Sequence, residues 1–128
     1  MKLLLDTCTF LWLISDAGEL SPAARQLFQD PANRVFLSSV SAWEIAVKND
    51  LGRLPLPDPA EQFVPAQRKL HAIESLPLEE GAALMLTKLP DYHRDPFDRM
   101  LVCQANYHGM TLLTPDAQIA RYPVHSMW

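Results

Sequence analysis

The chain has 128 residues, of which 48% are hydrophobic and 20% charged, with a net charge of −4. That length is expected to fold as a single domain, residues 1–128, with a real core, and the composition is that of an ordinary soluble globular protein. No apolar run approaches the ~20 residues that cross a bilayer, so no membrane role is expected, and the negative balance excludes a non-specific, whole-surface attraction to nucleic acid. A nucleic-acid substrate would require a local basic strip or a bound cation. Cys8 and Cys103 lie far apart and form no CxxC pair, which fits free thiols in a reducing cytoplasm and implies no structural zinc. None of the glycines builds a phosphate-cradling loop of the GxGxxG or GxxxxGK[ST] type.

The opening "MKLLLDTCTFLWLISD" has a leader-like Lys and apolar residues, but Asp6 interrupts the run and no small-residue cleavage site follows. It reads instead as a first strand, "KLLL", and a short helix over Thr9–Ser15. The continuous apolar character of that strand places it centrally in a sheet. Ser21 and Pro22 open a second helix, a cap followed by proline at the first helical position. A second strand is expected over Val35–Ser38, then a helix over Ser41–Asp50 that ends near Gly52. Asp58 and Pro59 are positioned to cap a helix reaching Leu70, which Pro65 should kink or delay. "HAIES" reads as a third strand and "LEEGAALMLTKL" as an amphipathic helix. "DPFD" opens a helix to about His108, with Gly109 just beyond; "MTLLT" is a fourth strand, and a fifth is expected near Val124. Short apolar strands alternating with helices indicate an α/β layered fold with a mostly parallel sheet.

Four acids fall just after strands or in the first turn of the helix that follows: Asp6, Glu44, Asp98 and Asp116. Open parallel sheets bind ligands outside the carboxyl ends of their strands, so these residues are expected to meet at one edge. Converging carboxylates repel one another in a partly desolvated pocket, and a divalent cation removes that cost. Oxygen ligands favour Mg²⁺ or Mn²⁺ over zinc. Each acid also has a structural explanation. Glu44 completes a capping box, "SAWE"; Asp95 is a natural N-cap before Pro96, and Asp98 suits the helix dipole; Asp116 is placed to cap "DAQIARY". Asp6 has no such helix in this reading, although a hydrogen bond to the Thr7 or Thr9 backbone would account for it. Asp98 shares a helical stripe with Leu101, Val102 and Ala105, so capping is assigned to Asp95 and metal ligation to Asp98, with Asp95 as a supporting group.

"LLLDT" with "FLWL", "LSSVSAWEIAVKNDLGRL", "HRDPFDRMLVCQA" and "LLTPD" occur in an order and spacing that resemble the PIN-domain ribonucleases, specifically the VapC-type toxins of bacterial toxin–antitoxin pairs. The resemblance covers nearly the whole chain. It implies a three-layer PIN-like α/β fold, a central sheet of four to five strands with helices on both faces, and Mg²⁺- or Mn²⁺-dependent cleavage of RNA. It also implies a homodimer, a cognate antitoxin in the active-site groove, and metal-binding acids at Asp6, Glu44, Asp98 and Asp116. Cys8 departs from the pattern, because many similar chains carry His there.

A carboxylate-held metal can activate and orient water and offset charge on the leaving oxygen, and it inverts the local field of an acidic protein. Asp6 and Asp98 are assigned as direct ligands and Glu44 as direct or through water; Asp116 serves a second metal or positions water. Arg99 and Lys48 are the nearest basic candidates for phosphate, although Lys48 is also spaced to pair with Glu44. Arg94 and Arg53 extend a basic strip or are solvated surface, and His93 either assists or is a loop residue. Trp12 and Trp43 belong to core or dimer packing. The alternative reading is a catalytically silent PIN-fold binding or regulatory scaffold, against which the intact acid set argues. A phosphoacceptor domain of the receiver type needs paired acids after the first strand, and "LLLDT" has one.

Overall fold

A computed structural model describes the whole chain, Met1–Trp128. Five parallel strands form the sheet: β1 (Lys2–Leu5), β2 (Arg34–Ser38), β3 (Glu74–Leu76), β4 (Thr111–Leu113) and β5 (Ser126–Met127), in the order β3-β2-β1-β4-β5. The central strand carries Leu3, Leu4 and Leu5, all fully buried. Each contributes about 1.5–3 kcal/mol by leaving water.

Strand alternation divides the core into two halves. Leu3, Leu5, Val35, Leu37 and Leu113 face one side, where they meet Phe10 and Leu13 of α1 (Thr7–Ser15), Ala24 of α2 (Pro22–Gln29), Ile45 of α3 (Ser39–Asp50) and Val64 of α4 (Ala60–Leu70). Leu4, Phe36 and Leu112 face the other, against Leu101, Val102 and Ala105 of α6 (Pro96–His108) and Ile119 of α7 (Ala117–Ala120). The remaining helix, α5 (Glu80–Leu84), lies along α6. With helices on both faces, the expected three-layer architecture is the one observed. No helix is long and apolar enough to cross a membrane.

Several boundaries differ from the sequence reading, each for a local reason. The first helix begins at Thr7 because Asp6 is its N-cap and accepts from the Thr9 amide. The third begins at Ser39, capped by Ser38 through the Val40 amide, so the "SAWE" capping box does not form. His71 and Ala72 close α4 rather than open a strand. The His71 amide reaches Gln67 O, Ala72 takes a positive φ, and the Ile73 amide returns to Arg68 O. The third strand is therefore only Glu74–Leu76. Pro59, not Asp58, is the N-cap of α4, and the helix continues through Pro65. "LEEGAALMLTKL" yields α5 and a separate 3-10 turn, Leu86–Lys88. Only Ala82 is buried in α5 and Leu84 is exposed, so too little packing supports a longer helix.

Candidate active site

The strand order places β1 and β4 side by side, yet β1 connects outward to β2 and β3 on one flank while β4 leads to β5 on the other. That reversal is the switch point where α/β sheets open a crevice at their carboxyl ends. Asp6 follows β1, Asp116 follows β4, and the two are linked through Thr114. The Thr114 hydroxyl donates to Asp6 Oδ2 at 2.5 Å and accepts from the Asp116 amide at 3.1 Å. Asp6 Oδ1 accepts from the Thr9 amide at 2.8 Å. Asp6 is 5% exposed, and burial raises its pKa against the lowering effect of these hydrogen bonds.

Glu44 projects from α3 and is 4% exposed. Its Oε1 accepts from the Thr7 hydroxyl at 2.6 Å, and that hydroxyl also lies 3.0 Å from Ser41 Oγ. Oε2 pairs with Lys48 one turn on. Glu44 is thus turned away from its own helix start and into the crevice. Asp98, in the first turn of α6, is pushed up to about 7, first by desolvation and then by Asp95, Asp6 and Glu44. Asp6 is joined to this acid only indirectly, through Thr114, Asp116 and His93.

His93 bridges the remaining side of the cluster. Its Nε2 lies 3.1 Å from Asp98 Oδ2 and 3.0 Å from Asp116 Oδ2, and His93, Asp98 and Asp116 each offer a donor atom within 4.8 Å of the others. Asp95 and Asp116 both act as helix caps, accepting from the Phe97 and Gln118 amides respectively. The Cys8 thiol, which reaches the surface beside the acids, is raised to about 11 by desolvation and then by Asp6, Glu44 and Asp98. In the metal-free protein this disfavours the reactive thiolate.

The donor set is oxygen-rich, and buried Asp6 and Glu44 together with Asp98 outnumber the one lysine paired among them. Such a set suits a hard divalent cation. The basic residues are placed differently from one another. Lys48 sits on the cluster through Glu44. Arg99 instead donates to Leu86 O of the 3-10 turn at 3.4 Å, with its Nε buried and unpartnered. Arg53 and Arg94 are exposed. Trp12 packs against Trp128, but Trp43 is 60% exposed and meets Phe97 edge-on. The roles of the Thr7, Ser41 and Thr114 hydroxyls escaped the sequence reading. The signal for Thr7 and Thr114 was a hydroxyl residue within two positions of a strand-end acid, as in "LDT" and "LTPD".

Comparison with known proteins identifies the fold and the family. A family model described as PIN domain matches residues 3–124. Ribonuclease VapC16 of Mycobacterium tuberculosis is 49% identical over 49 residues, 38% of this chain and 35% of that protein; the chain matches only about a third of that relative's length. VapBC2 from Rickettsia felis, bound to a promoter DNA fragment, superposes with a TM-score of 0.72 at 14% identity over 99% of this chain and 98% of that one. DNA-bound VapBC from Salmonella typhimurium gives 0.70 at 16% identity, covering 99% and 97%. At such identities these two structures establish likeness of fold. With the family model spanning nearly all of it, the chain belongs to the PIN-domain family.

Proposed function

We propose that this chain is a Mg²⁺- or Mn²⁺-dependent endoribonuclease, the toxin of a type II toxin–antitoxin pair. The observation that carries the proposal is the gathering of Asp98 and Asp116 about His93 at the carboxyl edge of the sheet, with Asp6 joined to Asp116 through Thr114 and Glu44 bonded to Thr7 next along the chain from Asp6. When bound there, a divalent cation lowers the pKa of a water and offsets charge on the phosphodiester. Asp6 and Asp98 would hold it directly and Glu44 directly or through water, while Asp116 would serve a second cation or position water. Thr114 and the Thr9 amide fix the Asp6 carboxylate, and Thr7 fixes Glu44. Lys48 is the first candidate to contact the RNA backbone; Arg99 already spends one of its donors on Leu86 O.

The family and the named ribonuclease relative support the activity. Solved relatives described as VapBC support a cognate antitoxin as partner. We extend the proposal to a homodimer acting in the cytoplasm, with residues 1–128 as one domain. The decisive experiment is cleavage of a pooled RNA substrate with Mn²⁺, comparing the native chain with Asp6→Asn and Asp98→Asn. Cutting by the native chain and loss in both variants is expected. Undiminished cutting in both variants, or none by the native chain, sinks the proposal.

A further inference from the structure

We propose, building on the cation site above, that His93 is a hydrogen-bonding clamp on Asp98 and Asp116 and not itself a ligand. Three donor atoms within 4.8 Å invite the opposite conclusion, a site of one imidazole and two carboxylates. The other side of the ring decides against it. His93 Nδ1 accepts a hydrogen bond from the Asp95 amide at 3.1 Å. A backbone amide can only donate, so Nδ1 carries no proton, and the single ring proton is on Nε2. A ligating histidine has the reverse arrangement, donating through its far nitrogen while the near one presents a lone pair. Here the near nitrogen presents N–H.

That tautomer is set by secondary structure. Asp95 caps α6 through the Phe97 amide, which fixes where its own amide points. The His93 amide is itself held by the Tyr122 hydroxyl at 2.9 Å. With both anchors in place, Nε2–H donates to Asp116 Oδ2 at 3.0 Å and lies 3.1 Å from Asp98 Oδ2 beside that bond. One N–H donor thereby gathers carboxylates from two different elements before any cation arrives. His93 is a positioning residue: it presets the spacing of Asp98 and Asp116.

Three measurements test this. In the metal-free protein, a long-range proton–nitrogen-15 spectrum of the imidazoles should show His93 with its proton on Nε2; a proton on Nδ1 alone overturns the clamp. Pulsed electron paramagnetic resonance of the Mn²⁺-loaded protein should show no directly coordinated nitrogen-14, whereas a strong coupling that vanishes in His93→Gln overturns it. By calorimetry, His93→Phe should weaken Mn²⁺ binding about tenfold or more. His93→Gln, whose amide can donate from a similar reach, should recover most of that loss; native-like affinity in His93→Phe overturns the clamp. Asp98→Asn separates the two levels of the argument. If it leaves Mn²⁺ affinity unchanged, the cation-site reading itself fails, while the tautomer measurement still decides whether His93 is a donor.

Discussion

The two ends of the sheet treat their acids in opposite ways. At the amino end of β2, Arg34 grips Glu74 of β3 through two hydrogen bonds of 3.0 and 2.8 Å, out in solvent. At the carboxyl end, Asp6 and Glu44 are buried, and most of what holds them is hydroxyl and amide groups from Thr7, Thr9 and Thr114. An exposed acid with its own guanidinium is a modest surface contact. Buried acids held mostly by neutral donors keep their position but remain undercompensated, and this is what a cation-binding pocket requires. The contrast identifies the site better than any count of acids, because the chain carries many acids elsewhere.

Substitutions at the two ends should separate sharply. Asp98→Asn is expected to lower RNA cleavage on the order of a hundredfold, as loss of a key electrostatic group does elsewhere. Glu74→Gln at the far end should leave the rate unchanged. Comparable losses from the two would erase the distinction between the ends.

Thr114→Val probes the support beneath the carboxylates. It strands Asp6 Oδ2 without its buried donor, which costs about 1.5–3 kcal/mol for a bond to a charged group. A lower urea midpoint at neutral pH is the expected reading, together with slower cleavage. An unshifted midpoint would mean that solvent already satisfies Asp6.

Acidity offers a finer test of the same undercompensation. Asp98 binds its proton more tightly folded, at about 7, than at its ordinary 3.8. The folded state therefore holds more protons between those values, and metal-free stability should fall as pH rises from about 4 to about 7. Urea midpoints across that window, native against Asp98→Asn, isolate the effect, since the variant should lose this part of the slope. A native midpoint that climbs relative to the variant would contradict the sign.

The smallest effect is expected at Asp95→Asn. Asparagine caps a helix about as well as aspartate, so cleavage and Mn²⁺ affinity should change far less than in Asp98→Asn. Equal losses would show that the Asp95 charge, and not only its cap, belongs to the site.

Much of this was legible in the linear pattern. Leu3 to Leu5 announced a central strand, and the Asp95–Pro96 pair announced the start of α6. The positions of Asp6, Asp98 and Asp116 after strands or at helix starts marked the edge where they meet. Where the sequence misled, two local signals competed. "SAWE" is a sound capping box, but Ser38 stands nearer the end of β2 and takes the cap, which releases Glu44. The leucines of 78–89 have helical spacing, yet Leu84 finds no surface to cover.

By itself the sequence determined the alternation of strands and helices and the placing of acids at their junctions, because apolar periodicity and capping act over a few residues. Only the tertiary structure decided who serves whom. Thr114 reaches Asp6 across 108 positions and Thr7 reaches Glu44 across 37, and the proton on His93 depends on where the Asp95 amide points. Such partnerships arise when distant segments are packed against one sheet, and no local preference encodes them.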